Sequence, residues 1–315
     1  MASKLNQPTG LVVLPDGTAL VGERTSGRIL RVQPTAGKPI QPIQTLPGVD
    51  GSGDGGLLDL AISPTFNQDG LIYAYLTTAT DNRVVHFALR SAPSPVVVGI
   101  PKGTTGNAGR IAFDGTGALL IGTGDAGRAS RAASPTDLAG KILRTDDIGK
   151  PVPDNPRSGS IVYARGLRTV DGLCVDSGNG LRVTVSAGPP DEVNTIRPNG
   201  DYGWPTVSTS TIPPARILPP ATTGGGGCAL TNGRLVVATS TGRSLIAATI
   251  GTTGSIGPFE NVLNGRYGRL RTVVAGSDGA LWLTTRNRDG HGKPATDDDR
   301  VIRIPQSQAG GRSIL

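Results

Sequence analysis

Residues 269–286 read Arg-Leu-Arg-Thr-Val-Val-Ala-Gly-Ser-Asp-Gly-Ala-Leu-Trp-Leu-Thr-Thr-Arg. The stretch predicts two short strands about a turn. Leu270 and Val273-Val274 supply the first strand, Ser277-Asp278-Gly279 the turn, and Ala280 to Thr285 the second. Asp-Gly between apolar runs is a strong hairpin signal, because both central positions of a two-residue hairpin favour φ > 0. The same unit returns along the whole chain. Residues 10–32 give strand, Asp16-Gly17, strand, Ser26-Gly27, strand; residues 56–89 repeat it around Gln68-Asp69-Gly70. Further copies run from Gly109 to Arg144, from Gly166 to Ile196 (turning at Ser177-Gly178-Asn179-Gly180), and from Gly227 to Ile250 (turning at Asn232-Gly233). The opening stretch, completed by Arg300 to Ile304, is the sixth.

Six copies at a period of roughly 45–60 residues, each of three or four antiparallel strands, are the pattern of a β-propeller. A lone blade exposes two apolar faces, and stacking blades about an axis buries both. The expected fold class is therefore all-β: a six-bladed propeller of four-stranded antiparallel blades, one domain over 1–315. The blades are expected at approximately 10–50, 55–100, 106–150, 160–204, 224–260 and 266–305. Composition agrees. Gly is 47 and Pro 25 of 315 residues, too much punctuation for long helices. Aromatics are 3%, so the core must be aliphatic. Extra length sits in Pro-, Gly- and Ser-rich stretches near 91–107, 126–138, 147–160 and 205–224. They are either plain connectors or covers for one mouth of the channel, since loops above about 12 residues are commonly functional or mobile.

The formal net charge is +7. The Arg residues are scattered at strand ends, without a Lys/Arg run and with few aromatics to stack bases, so nucleic acid is not an expected partner. A basic surface still favours anions such as phospholipid headgroups. No run of about 18 apolar residues is present to span a bilayer. Met1 to Leu5 lacks the apolar centre of a signal peptide, which fits either a cytosolic protein or a mature chain freed of its export segment. Cys174 and Cys228 are the only cysteines, and with His86 and His291 isolated they do not complete a zinc site. Each cysteine falls on the first strand of its blade, four and five. First strands of neighbouring blades run side by side, so a Cys174–Cys228 disulfide is expected, as suits an oxidising compartment. Two small buried apolar residues are the alternative.

Several segments resemble the soluble quinoprotein glucose/sorbosone dehydrogenase family. They are residues 55–64 (Gly-Gly-Leu-Leu-Asp-Leu-Ala-Ile-Ser-Pro), 109–113 (Gly-Arg-Ile-Ala-Phe), 122–125 (Gly-Thr-Gly-Asp) and 137–144 (Asp-Leu-Ala-Gly-Lys-Ile-Leu-Arg). Residues 191–196, 201–205 (Asp-Tyr-Gly-Trp-Pro), 268–273 and 287–290 (Asn-Arg-Asp-Gly) continue the likeness in order over nearly the whole chain. The resemblance implies a six-bladed propeller, independently of the repeat count. It also implies an exported protein, sometimes a lipoprotein, and in some members pyrroloquinoline quinone (PQQ) and calcium at the top of the propeller. The Pro/Gly/Thr-rich basic composition is similar to actinobacterial, mycobacterial-type lipoprotein members.

The family chemistry needs a base for a sugar hydroxyl and cations for the quinone's carboxylates. The resemblance places the base, a His, at Gly106, which has no side chain. It places a quinone-contacting Lys near Thr241, turns an Arg-Asn pair into Arg168-Thr169, and turns a Gln into Asp54, whose charge would repel a tricarboxylate. His86 and His291 are expected to lie away from that position. What remains is Asp125, matched to the acid that supports the His; Arg168, Arg269 and Arg271 on the cofactor side; and Gly188-Pro189, whose carbonyls bind calcium in the family. Each Arg is equally readable as a structural ion-pair partner, here for Asp54 or Asp125. Asp191-Glu192 is readable as a loop brace or a cation site.

The leading expectation is an exported, cell-envelope propeller with a degenerate quinone site and no cofactor. It would bind a small anionic or sugar ligand, or a protein at the channel mouth, with a lipid anchor supplying membrane association. The alternative is a PQQ- and calcium-dependent sugar dehydrogenase using Asp54 or Asp125 as base, which burial can equip by raising a carboxyl pKa. A third reading is a calcium-dependent propeller lactonase built on Asp54, Asp125 and Glu192.

Overall fold

The computed structural model describes residues 2–176, 180–188 and 190–306. The expected turn residues Ser177 to Asn179, and Pro189, lie outside that set. Six antiparallel sheets follow one another in chain order. The first holds β1 (Pro8–Val13), β2 (Ala19–Glu23), β3 (Arg28–Val32) and β4 (Gln41–Thr45). The second holds β5 (Leu57–Ile62), β6 (Leu71–Thr77), β7 (Asn82–Ala88) and β8 (Ser94–Ile100). In the third are β9 (Arg110–Phe113), β10 (Leu119–Gly122), β11 (Lys141–Thr145) and β12 (Val162–Arg165). In the fourth are β13 (Gly172–Asp176), β14 (Leu181–Ser186), β15 (Glu192–Thr195) and β16 (Arg216–Ile217). The fifth comprises β17 (Gly225–Thr231), β18 (Arg234–Thr239), β19 (Ser244–Thr249) and β20 (Glu260–Asn264). The sixth comprises β21 (Leu270–Ala275), β22 (Leu281–Thr285) and β23 (Val301–Ile304).

The sixth sheet does not draw its fourth strand position from 266–305. Residues 2–5 take it. Ala2 and Val301 exchange both backbone hydrogen bonds at 3.3 and 3.0 Å, and Leu5 N–H reaches the Asp299 carbonyl at 3.0 Å. The N-terminal segment therefore closes the ring on the last blade. Two other expected boundaries also move. The third blade takes its outer strand from 162–165 rather than ending near 150. The fourth consequently runs from Gly172 to Ile217.

The Asp-Gly turns are wider than two residues. Gly279 N–H reaches the Gly276 carbonyl at 3.0 Å, and Gly276 N–H reaches the Ala280 carbonyl at 2.8 Å. Leu14–Thr18 and Asp114–Ala118 close in the same manner. Only the glycine has positive φ, as in a type I turn followed by a left-handed residue. The Asp side chain completes each turn, Asp278 Oδ1 accepting the Ala280 N–H at 3.0 Å. Asn232-Gly233 is the two-residue turn with both residues at positive φ. Gln68-Asp69-Gly70 belongs to a single helical turn, α1 (Phe66–Asp69), ended by left-handed Gly70. A second one-turn helix, α2 (Ala129–Ala133), lies between β10 and β11.

Alternation along each strand sends apolar side chains to both faces, and neighbouring blades bury them between sheets. One such layer holds Tyr73, Tyr75, Ile111, Leu119 and Ile121 of the second and third blades. Another holds Ala2, Leu5, Leu11, Val21, Trp282 and Val301, where the ring closes. Cys174 and Cys228 lie in the layer between blades four and five, 4% and 7% exposed, and form a disulfide with Cα atoms 5.8 Å apart. It ties β13 to β17 across 54 residues of sequence. Replacing both cysteines with alanine should cost about 2 kcal/mol and lower the melting temperature by roughly 5 °C. An unchanged calorimetric transition would show that the bond adds nothing to the packed layer.

Candidate functional site

At one face of the ring every inner strand begins and every second strand ends. A cavity of about 770 Å³ opens there. Its wall contains four arginines, Arg24, Arg168, Arg271 and Arg286, and five aspartates, Asp54, Asp125, Asp171, Asp191 and Asp289. Trp204 and His291 also line it.

Gly106 enters this wall just before β9, at φ +71°. A Cβ there would stand 2.6 Å from Asp125 Oδ1 and 2.8 Å from the Gly127 nitrogen. The residue is thus locked as glycine by its backbone and by its neighbours. Asp54 faces it. One Asp54 oxygen accepts the Gly106 N–H at 2.6 Å, and the other accepts from the Asn107 side chain and its N–H. Asp125, 5% exposed, accepts the Gly127 N–H at 2.8 Å and the Trp204 indole N–H at 2.9 Å.

Among the described residues neither Asp54 nor Asp125 forms an ion pair with an arginine, so the ion-pair alternative for these two acids is not the one seen. Arg271 pairs with Asp171 at 2.9 Å, and Thr169 holds the other Asp171 oxygen at 2.8 Å. Arg286 and Arg269 both pair with Asp289, at 3.0 and 2.8 Å. Burial opposes charge on Asp289. Bonds from Arg269 and the His291 N–H, with Arg286 beside it, nevertheless hold its carboxyl below the usual range. Burial, then the nearby Arg271, lowers the Arg286 guanidinium to about 10. Arg269 is not among the lining residues, because Asp289 and the Ser240 carbonyl engage it. Arg24 donates to the Gln7 side chain and to the carbonyls of Gly53 and Gly55 at 3.1 and 2.7 Å, and burial lowers its pKa.

Asp191 is a loop brace: it accepts the N–H groups of Gly188, Gly224 and Gly225 at 3.0, 2.6 and 3.1 Å. Gly188 lines the cavity. Glu192 lies on β15, bonds Asn194 at 3.0 Å and is not among the lining residues; its pKa is raised by burial. Thr241 is exposed and also absent from the lining. Among the described residues no group of three or more acidic, histidine or cysteine side chains is arranged to hold a metal.

The hydrogen-bonding balance of the wall is one-sided. Both oxygens of each of the five aspartates already accept a bond from the protein, either from the wall or from the residues just behind it. Arg168 differs. Its guanidinium lies 5.1 Å from the centre of the Trp204 ring, and among the described residues it makes no side-chain hydrogen bond or ion pair. An exposed planar cation on an aromatic face, with its N–H groups open, is suited to a carboxylate or phosphate.

Sequence reasoning missed Arg24, Asp171, Arg286 and Asp289. It placed His291 in the last long turn, away from the Gly106 position, and did not foresee that the loop after β22 puts this residue on the cavity wall. The Asn-Arg-Asp-Gly motif at 287–290 was the available signal for that loop.

A carboxylated quinone can be tested against this wall. Arg168 fits its carboxylates, with Arg271 and Arg286 nearby. The motif position for its base does not fit, since a side chain at 106 would collide with Asp125.

Comparison with known proteins places the chain. One solved structure, the PQQ-bound aldose sugar dehydrogenase from Streptomyces coelicolor, superposes with TM-score 0.91 at 37% identity, covering 96% of this chain and 95% of that one. Aldose sugar dehydrogenase YliI of Escherichia coli is 30% identical over 229 residues, 66% of this chain and 61% of its own length. Quinoprotein glucose dehydrogenase B of Acinetobacter calcoaceticus is 28% identical over 248 residues, 65% of this chain and 52% of its own. The aligned regions thus span between half and two thirds of these curated relatives. Residues 5–226 match the family described as Glucose / Sorbosone dehydrogenase, and on that match, over most of its length, the chain belongs to the glucose/sorbosone dehydrogenase family.

Proposed function

We propose that the cavity binds a small carboxylated or phosphorylated ligand, and that this chain does not carry out efficient imidazole-assisted sugar oxidation. The observation that carries this reading is Arg168, a cation with open N–H groups in a wall whose aspartate oxygens are already engaged. Gly106 adds the second half: the family's base position offers no proton acceptor and no room for one. Loss of acid–base assistance typically costs 10²–10⁴-fold in rate. The buried disulfide supports an extracytoplasmic setting, where such bonds persist.

A second reading, a quinone-dependent aldose dehydrogenase, is favoured by the likeness to a PQQ-bound aldose sugar dehydrogenase at 37% identity. Bound PQQ supplies a hydride acceptor, and Arg168 with Arg271 would hold its carboxylates. Asp54, Asp125 and His291 are then the cavity groups that would have to receive the hydroxyl proton.

Titration with PQQ and separately with citrate, each with and without calcium, tests both. Fluorescence reports binding, since Trp204 lies at the cavity and Trp282 is buried in the ring-closing layer. Saturable binding without aldose-dependent dye reduction is the expected result. Turnover with aldoses would replace the first reading by the second. Failure of both anions to saturate would remove the anion site.

A further inference from the structure

The loop that brings Asp289 and His291 to the cavity is anchored from beneath by one carboxylate. Asp299 is fully buried, at 0% exposure. Its Oδ1 accepts the N–H groups of Asn287 (2.5 Å) and Arg288 (3.3 Å) and the Thr285 hydroxyl (3.3 Å). Its Oδ2 is buried with no hydrogen-bond partner. A buried charge with one oxygen unbonded is a costly arrangement, and protonation relieves it.

We propose that Asp299 is a proton-operated latch on the rim loop 287–291. Ionised, it grips the loop through charge-assisted bonds to two consecutive backbone N–H groups. Protonated, it leaves those N–H groups on a weaker neutral acceptor, and the loop loosens. That loop carries the Asp289 clamp on Arg269 and Arg286, and His291. Mild acid therefore loosens this side of the cavity wall. The latch does not depend on which ligand the cavity takes.

Burial pushes the Asp299 carboxyl up to about 6, against the bonds from Asn287 and Arg288; the adjacent Asp298 charge adds to the rise. The other charged groups packed around it are committed elsewhere. Asp298 pairs with Arg300 at 3.0 Å and accepts the Ala295 N–H at 2.8 Å. Arg300 also reaches Asp297 at 3.4 Å. The Arg288 guanidinium donates to the Asp298 carbonyl at 2.5 Å. The N-terminal segment meets this stretch with backbone groups: Lys4 N–H donates to the Asp297 carbonyl, and Leu5 N–H to the Asp299 carbonyl, both at 3.0 Å. From just before β21, the Arg269 N–H donates to the Asn287 side-chain oxygen at 2.8 Å.

The sign separates a latch from general acid unfolding. The folded value of Asp299 lies above its unfolded value, so the native state takes up a proton as pH falls through about 6. That uptake stabilises the native fold as a whole; the loop slackens because its release strips the two N–H bonds from a carboxyl that stays buried, and such a carboxyl binds the proton more tightly still. Amide hydrogen exchange on the intact chain reads this directly. Protection at Asn287 and Arg288, corrected for the intrinsic pH dependence of exchange, should fall roughly tenfold between pH 7.5 and 5, as charged-acceptor bonds become neutral ones. Asp299→Asn should remove that pH dependence. Protection that stays flat in the wild type, or that still falls in the Asn variant, overturns the latch. Should the variant not fold, the wild-type Asp299 carboxyl resonance decides: a midpoint near 6 supports the latch, and one near 4 overturns it.

Discussion

Replacing Arg168 with alanine is expected to weaken binding of a carboxylated ligand about 100-fold, about 2.8 kcal/mol at 1.4 kcal/mol per tenfold. The size follows from losing a planar, permanently charged group that forms two parallel bonds to one carboxylate. The fold should barely respond, because Arg168 is exposed and, among the described residues, its guanidinium meets the Trp204 face without a hydrogen bond or ion pair. An exposed contact of that kind is worth about 0.5–1 kcal/mol. Arg168→Lys should recover little of the affinity, since an ammonium cannot reproduce the fork. Isothermal titration with PQQ or citrate, beside a denaturant melt of the same variant, gives both numbers. Unchanged affinity in Arg168→Ala would place the ligand elsewhere and remove the anchor of the proposed function.

The largest loss of stability is expected from Arg110→Met. Arg110 sits at the start of β9, where five blades meet. Its Nε donates to the Asp171 carbonyl at 2.7 Å, and one terminal nitrogen reaches Asp59 at 3.2 Å and the Thr272 hydroxyl at 3.3 Å. The Thr272 hydroxyl in turn donates a hydrogen bond to the Thr9 carbonyl at 2.6 Å. Removing the cation leaves Asp59 buried, with only N–H partners such as Ile111 at 3.0 Å. Breaking such a pair from one side typically costs about 3–5 kcal/mol.

Burial already holds the Asp59 carboxyl above the usual range, and Arg110 is the charge opposing that rise. In the variant the folded value climbs further above the unfolded one. The protonated form then carries the stability, which is present in acid and lost as pH rises through the folded value. Urea unfolding should therefore show a smaller deficit near pH 5 than near pH 8, and Asp59→Asn in the same chain should restore part of it. A deficit below about 1 kcal/mol, equal at both pH values, would show that the channel network is not a structural centre.

How much of this was legible depended on how local each feature is. The six hairpins announced themselves because strand, turn and strand lie within about 15 residues, and so did the pairing of Cys174 with Cys228 once first strands were seen as neighbours. The turn geometry was misjudged because Asp-Gly serves both two- and three-residue connections; the Asp side chain bonding the N–H after the glycine selects the longer one. Residues 2–5 carry no strand pattern, and their partner strand lies about 300 residues on, so no window of sequence shows the closure. The same limit governs the site. Asp54, Asp125 and Arg168 stood in motifs and reached the cavity. The partner of Arg271 is 100 residues away on another blade, and no spacing rule connects it to Asp171. That His291 reaches the wall was not legible, because the path of its loop depends on Asp289 meeting Arg286 just after β22 and Arg269 just before β21.

The join between residues 2–5 and β23 also has a temporal side. The ribosome makes those residues before the first blade and Val301–Ile304 after the fifth. Blades can stack in order as they emerge, but the last sheet has no outer edge partner until its end of the chain finds the beginning. A circular permutant opened in the 147–160 connection, with its old ends joined by a linker, would turn the late encounter into an ordinary local hairpin.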